Sequence, residues 1–239
     1  MSERRMKEPK RRKEVSERRK ERSGSPDNPQ ESAQSYRKST SHYGDSTYKR
    51  CERMIGLYWI ISYVIGNFMT AYVVGKAYGV NLQEERSKNL GARNAGSVIG
   101  KGAFLWTFLG DSFKGALIVS VGRLLHCEEW VIVLGASLGM FGHMFPFWLQ
   151  FKGGKGVATF IGVGLALSPS LFFMMVVGTA MTFSVTRSLT LSMVGGLVLY
   201  VGAIVCTNKL LLYIPILVAI CFMLIKHMSN IKESLERKK

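Results

Sequence analysis

Two stretches free of Asp, Glu, Lys and Arg, Trp130 to Phe151 and Val157 to Thr186, follow one another with only five residues between them. A run of about 20 apolar residues is what a helix needs to cross a bilayer. Inside a bilayer the backbone must satisfy its own hydrogen bonds, so a spanning segment of this kind is helical. Three further runs are mostly apolar: Ile55 to Gly75, without charge, Ala103 to Gly122, apolar except for Asp111 and Lys114, and Ser188 to Ile225, interrupted at Lys209. Ile55 to Gly75 is too long for a signal-peptide core, and no small-residue cleavage site follows it. Val157 to Thr186 as one helix would measure about 45 Å, against a hydrocarbon core of about 30 Å. Ser168-Pro169-Ser170 therefore predicts a turn within it, and Thr207-Asn208-Lys209 predicts another in the last run. The expectation is an all-α integral membrane protein with about seven short transmembrane helices.

Between the two uncharged runs sits Lys152-Gly153-Gly154-Lys155-Gly156. Glycines let backbone N–H groups converge on an anion, and two ammonium groups add charge and donors. A helix beginning near Val157 would direct its positive end at the same point. The pattern suits a phosphate site at a membrane surface, although Gly/Lys turns also join membrane helices with no ligand involved. A nucleotide P-loop is excluded, because that motif requires Ser or Thr after its Lys and Lys155 precedes Gly156.

Composition divides the chain. Residues 1–53 hold 16 of the 32 Lys and Arg, with 9 of the 16 acidic groups, many Ser and almost no aliphatic side chains. Such a segment buries too little apolar surface to offset its chain entropy, and is expected to be a disordered basic extension ahead of a membrane domain over 54–239. Met54, at the edge of the first apolar run, is an alternative start. The first 35 residues lack the interleaved aromatics of a nucleic-acid arm, so a solvated tail or a contact with anionic lipid is expected instead. The four cysteines, Cys51, Cys127, Cys206 and Cys221, show neither zinc nor disulfide-framework spacing.

With seven spans, parity places Asn81–Lys101, the Gly/Lys turn and the tail from Lys226 on one face, joined there by Arg187. The opposite loops carry Arg123 and Lys209, countered by Glu128 and Glu129. That bias puts the motif face in the cytoplasm; the basic extension alone argues for the reverse. Ser87, Asn89, Gly91, Arg93 and Asn94 from the first segment thus meet Lys226, His227 and Asn230 from the last. Within the second span, Asp111 and Lys114 stand three apart on one helix face, as an ion pair or a functional site.

These segments resemble a known family. GHMFPFWLQFKGGKGVAT, from Gly142 to Thr159, is similar to the central motif GHxFPxxxxFKGGKGVAT of the bacterial acyl-phosphate:glycerol-3-phosphate acyltransferases (PlsY type). SKNLGARN resembles their GSGNxGATN, and KHMSNIKESL their RHxxNIxRL. The resemblance runs from about Met54 to the C-terminus. It implies a bacterial cell-membrane enzyme with a cytoplasm-facing site, moving a fatty acyl group from acyl phosphate to the 1-hydroxyl of glycerol 3-phosphate. No cofactor, metal, nucleic acid or obligatory protein partner is implied; the partners are the two substrates and membrane lipid.

By motif match, Lys152, Gly153, Gly154, Lys155 and Gly156 take phosphate. Ser87, Asn89, Arg93 and Asn94 hold glycerol phosphate or orient the loop, and His227 and Asn230 close the pocket. Ser87, Lys155 and His227 are the catalytic candidates together with His143, which either accepts the hydroxyl proton or braces the turn. The chain departs from the family at Arg86 and Lys88, where it has Gly; at Arg93 for Thr; at Ser97 for Arg; at Gln83 and Lys226 for Arg; and at Glu233 for the second Arg of the third motif. A divergent paralogue with weak or altered activity is one alternative. A small transporter or anionic-lipid-binding protein is another. The acyl-CoA-dependent acyltransferases are disfavoured, because none of His42, His126, His143 and His227 has an Asp five residues on.

Overall fold

A computed structural model describes residues 54–236. The expected basic extension over 1–53 lies outside these described residues. All regular structure among them is helical: α1 (residues 54–67), α2 (Thr70–Ala77), α3 (Ala92–Val98), α4 (Lys101–Leu124), α5 (Glu129–Met144), a 3-10 turn (Phe147–Leu149), α6 (Val157–Leu167), α7 (Pro169–Thr186), α8 (Leu189–Cys206) and α9 (Leu210–Glu236). Six helical stretches are long and apolar enough to cross a membrane, with Met54–Ala77 counted as one. The apolar α6, 11 residues and about 16 Å long, reaches about half-way through a hydrocarbon core.

Both turns expected within the long runs are present. Ser168, extended at ψ 95°, ends α6, and Pro169 opens α7, where its missing N–H costs nothing. Arg123 donates to the Leu167 carbonyl at 2.9 Å, satisfying one of the carbonyls left open at the end of α6. The second break lies between Cys206 and Leu210.

Two expectations need correction. Ile55 to Gly75 is not one straight span: the helix is interrupted at Phe68 and Met69, the latter in extended conformation. The interruption is held from outside. Asn67 accepts from the Phe147 amide at 2.9 Å, and Trp148 donates to the Asn67 carbonyl at 3.0 Å. Lys114 reaches the carbonyls of Gly66 and Phe68 at 3.1 and 2.6 Å, taking over carbonyls at the helix end. The segment from Asn81 to Lys101 is not all loop either, since it contains α3, entered from an extended Gly91.

Close helix crossings rely on missing side chains. A Cβ on Gly66 of α1 would collide with the Gly139 carbonyl of α5, and one on Gly162 of α6 with the Ser112 carbonyl of α4. Without a hydrophobic force between helices in lipid, such backbone approach supplies much of the packing. The buried apolar core gathers Met140, Met144, Phe160, Tyr200, Ile216 and Met223 from α5, α6, α8 and α9. Large apolar side chains outside it, such as Trp106, Phe113, Val185 and Leu211, are exposed, as a lipid-facing surface requires. Chain direction brings the starts of α4, α6 and α8 and the ends of α5 and α9 to one end of the bundle, where the cavity lies.

Candidate active site

That end encloses a cavity of about 580 Å³. Its polar wall comes from the loop before α3 and α3 itself (Arg86, Ser87, Asn89, Gly91, Arg93, Asn94, Ser97), from the last motif (His227, Asn230, Glu233, Ser234), and from His143, Lys155 and Gly156. Phe104, Phe108, Leu189 and Met193 supply an apolar side. The three motifs therefore do converge.

The loop before α3 is organised by Asn94, only 3 % exposed. Its Oδ1 accepts from the Ser87 hydroxyl at 3.0 Å and the Ser87 amide at 3.3 Å, while its Nδ2 donates to the Leu82 carbonyl at 3.0 Å. Arg86 and Lys88 hold left-handed backbone, with φ of 45° and 54°. These are the positions where the related motif carries Gly, so the turn persists with bulky cations in it, at about 1–2 kcal/mol per residue. Arg93 donates to the Thr190 hydroxyl of α8 at 3.4 Å. Ser97, one turn further on, donates to the Asn94 carbonyl at 2.9 Å.

The Gly/Lys turn folds back onto the end of α5, where the Gly154 amide donates to the His143 carbonyl at 3.1 Å. A Cβ on Gly153 would strike that carbonyl, and one on Gly154 would strike Nε2 of the His143 ring. These two glycines permit packing against His143 and do not line the cavity. Lys152 is exposed and also stands outside the lining. Of the five turn residues, Lys155 and Gly156 face the cavity. Gly156 takes φ 88°, a left-handed conformation natural to glycine, and α6 starts directly after it. Lys155 Nζ donates to Asn230 Oδ1 at 2.7 Å. Partial burial, and then the nearby charge of Arg93, hold the Lys155 ammonium below the ordinary lysine pKa. Lys226 does not line the cavity; it ties the turn down by donating to the carbonyls of Met144 and, at 3.2 Å, Gly154.

The two cavity histidines are set oppositely. His227 Nδ1 lies 2.8 Å from the Met223 carbonyl, which can only accept, so Nδ1 carries the proton and Nε2 keeps its lone pair. His143, 2 % exposed, has its Nδ1 at 2.8 Å from the ammonium of Lys114. An ammonium only donates, so this Nδ1 accepts and Nε2 carries the proton. Asp111, which pairs with Lys114 at 3.0 Å, also reaches the cavity.

Sequence reasoning missed the link between the Asp111–Lys114 pair and His143, for which the one signal was charge at membrane depth. It also missed the walls formed by Phe104, Phe108, Leu189, Thr190 and Met193. No motif marks those positions. Among the described residues no cluster of three or more His, Cys, Asp or Glu is arranged to hold a metal ion.

Fold and cavity together define a class: an all-helical integral membrane protein whose polar pocket, rich in cations and donors, opens at one end of the bundle. The family model described as glycerol-3-phosphate acyltransferase matches residues 56–237, and the chain belongs to that family of membrane acyltransferases. It is 34% identical over 186 residues to the glycerol-3-phosphate acyltransferase of Bacillus subtilis, covering 77% of this chain and 95% of that one. To glycerol-3-phosphate acyltransferase 1 of Bacillus cereus it is 43% identical over 128 residues, covering 53% of this chain and 70% of the relative. Its fold is similar to the crystal structure of PlsY, an integral membrane glycerol 3-phosphate acyltransferase, in the glycerol 3-phosphate form. That match has a TM-score of 0.69 at 26% identity and covers 78% of this chain and 94% of that one. The lysophosphatidic acid form of PlsY matches with a TM-score of 0.67.

Proposed function

We propose that the chain transfers a fatty acyl group from acyl phosphate to the 1-hydroxyl of glycerol 3-phosphate, giving lysophosphatidic acid and inorganic phosphate. The observation that carries this reading is the meeting of Lys155, Arg93, the start of α6 and His227 in one cavity with an apolar side. Both substrates bring phosphate, which Lys155, Arg93 and the first-turn amides of α6 are suited to hold. The acyl chain suits the side built from Phe104, Phe108, Leu189 and Met193.

In the proposed step, the substrate hydroxyl oxygen attacks the acyl carbonyl carbon while His227 Nε2, with its lone pair free, takes the hydroxyl proton. The bond from that carbon to the phosphate oxygen then breaks and phosphate leaves. His143, a donor through Nε2, and Lys155 stabilise the charge that develops on the reacting oxygens. Acyl phosphate is already activated, so positioning and electrostatics carry the rate with no covalent intermediate. Ser87 and Asn94 fix the loop, and Asn89 and Asn230 supply hydrogen bonds to the acceptor.

The same reading gives a bacterial cell membrane protein with seven crossings, α6 counted as one, and the cavity face in the cytoplasm. Lys76, Arg86, Lys88, Lys101, Lys152, Arg187 and Lys232 would fall on that face, against Arg123 and Lys209 opposite. Residues 1–53 form a separate basic extension in this reading. The deciding experiment uses purified protein with glycerol 3-phosphate and either acyl phosphate or acyl-CoA. Phosphate release that depends on glycerol 3-phosphate, with no product from acyl-CoA, supports the reading. Product from acyl-CoA alone, or binding without turnover, sinks it. A second reading, a paralogue with an altered acceptor, is favoured by Glu233 lining the cavity where the related motif has a cation. Faster turnover with another polyol or amino-alcohol phosphate in the same assay would establish it.

A further inference from the structure

Lys114 is 3 % exposed and sits in the middle of a membrane-spanning helix, yet four acceptors surround its three N–H donors, so that one N–H is shared between two of them. They are the Gly66 carbonyl at 3.1 Å, the Phe68 carbonyl at 2.6 Å, Asp111 Oδ1 at 3.0 Å and His143 Nδ1 at 2.8 Å. Asp111, 1 % exposed, is anchored in turn by the Thr70 hydroxyl at 3.1 Å. The pair thus straddles the interruption between α1 and α2. Its ammonium meets the C-terminal end of α1 and its carboxylate the N-terminal end of α2, each the sign that the local dipole favours.

A pair that served only to close the helix break would not need the fourth contact. His143 offers Nδ1 to Lys114, while Asp111 Oδ1 stands 3.7 Å from the same nitrogen, beyond hydrogen-bond length. The partner that fixes one ring nitrogen decides what the other can do. With Nδ1 accepting from an ammonium, the neutral ring presents Nε2–H, and His143 is a donor toward the cavity.

We infer that Lys114 is a positioning residue for acyl transfer: seated on Asp111, it holds His143 in the Nε2–H form and anchors that donor to the α1–α2 interruption. This excludes His143 as the proton acceptor. The inference rests on the acyltransferase reading of the cavity, and its test separates the two.

The first measurement needs no substitution in Lys114. The chain has four histidines, so nitrogen-15 labelling of histidine alone gives a sparse spectrum, and His143→Asn identifies the relevant ring. Full-length protein in detergent is expected to show His143 with Nδ1 unprotonated and Nε2 protonated. A proton on Nδ1 overturns the inference even if the enzyme turns over acyl phosphate. An inactive enzyme with the expected ring sinks the acyltransferase reading and leaves the ring assignment standing.

The second measurement uses Lys114→Met with Asp111→Asn, so that neither partner is left as an unpaired buried charge. The expected result is a mixed ring state for His143 and a loss of kcat of about 100-fold, with KM for glycerol 3-phosphate nearly unchanged. Wild-type kcat in a folded double variant, or an unchanged ring state, overturns the inference. His143→Gln keeps a side-chain donor and cannot act as a base; it is expected to retain clearly more activity than His143→Ala. Equal loss in those two variants also overturns it.

Discussion

The Nζ of Lys155 lies 2.7 Å from Oδ1 of Asn230, joining the Gly/Lys turn to the last helix across 75 residues of sequence. An amide oxygen holds the ammonium without neutralising it, so its charge remains available to an anion. Lys155→Ala should lower kcat/KM by about 10²–10³-fold, the usual effect of losing one electrostatic donor at the reacting centre. The variant should still insert and elute as a folded protein, because this half-buried turn residue contributes little to packing. Steady-state kinetics beside a size-exclusion profile check both points. Full activity would remove Lys155 from the phosphate site.

The depressed pKa of Lys155 gives a pH signature. Burial, then the Arg93 charge, favour its neutral form, so in the empty site the ammonium is lost at lower pH than in a free lysine. The unfolded chain therefore binds more protons than the folded one between the lowered value and the ordinary one. Through that window this group's contribution to stability rises with pH, and below the lowered value it is at its least favourable. Anion binding runs the opposite way, since it requires the charged form. Affinity for glycerol 3-phosphate should fall on the alkaline side before ordinary lysines titrate, and Lys155→Arg should move that fall to higher pH. Titration calorimetry across the alkaline range measures it; identical alkaline limbs in both proteins would refute it.

Orientation is tested by the exposed positions at each end. Cys206 is exposed and Cys127 half-buried, both at the end of the bundle away from the cavity. Membrane-impermeant thiol reagents applied to intact cells should label Cys206 in a single-cysteine variant, with no labelling of cysteines introduced at Lys88 or Lys152. Position 154 is a poor reporter, because Gly154 packs against the His143 ring. Labelling of positions 88 and 152 from outside would invert the proposed topology.

What could be read from sequence followed from local rules. Pro169 cannot continue a helix from Leu167, so the division of the long apolar run at Ser168 was visible, as was the turn at Asn208. Alternation of spans was enough to bring the three polar segments to one face. The interruption of the first span was hidden, because Asn67, Phe68 and Met69 include neither Gly nor Pro. It is stabilised instead by Lys114, whose position more than 40 residues away no local rule connects to it. Lys152 and Lys155 are equivalent in a motif. They differ in space because the two glycines between them press on His143 and only the second lysine turns toward the cavity. At Arg86 and Lys88, where the related motif has Gly, sequence does not show that both residues take left-handed backbone.

The departures at Arg93 and Ser97 give the sharpest test of the anion site. Both residues line the cavity, one helical turn apart on α3, so the cation has moved by four residues while its face is kept. Arg93 is anchored by Thr190 of α8 at 3.4 Å, and its fork can serve an anion from there; Ser97 carries only a hydroxyl bonded back to Asn94. Arg93→Thr alone should raise the apparent KM for glycerol 3-phosphate by about tenfold or more, the loss expected for a charge-assisted contact. Adding Ser97→Arg rebuilds the related motif and should recover most of that loss. Because the two positions share one anion, their effects should couple by well over the 0.3–0.5 kcal/mol scatter that is about the limit for independent sites. The double-mutant cycle is measured on transfer from acyl phosphate, with kcat and KM reported separately. Strict additivity would mean that Arg93 does not replace the missing cation, and the cavity would then be built for a different acceptor.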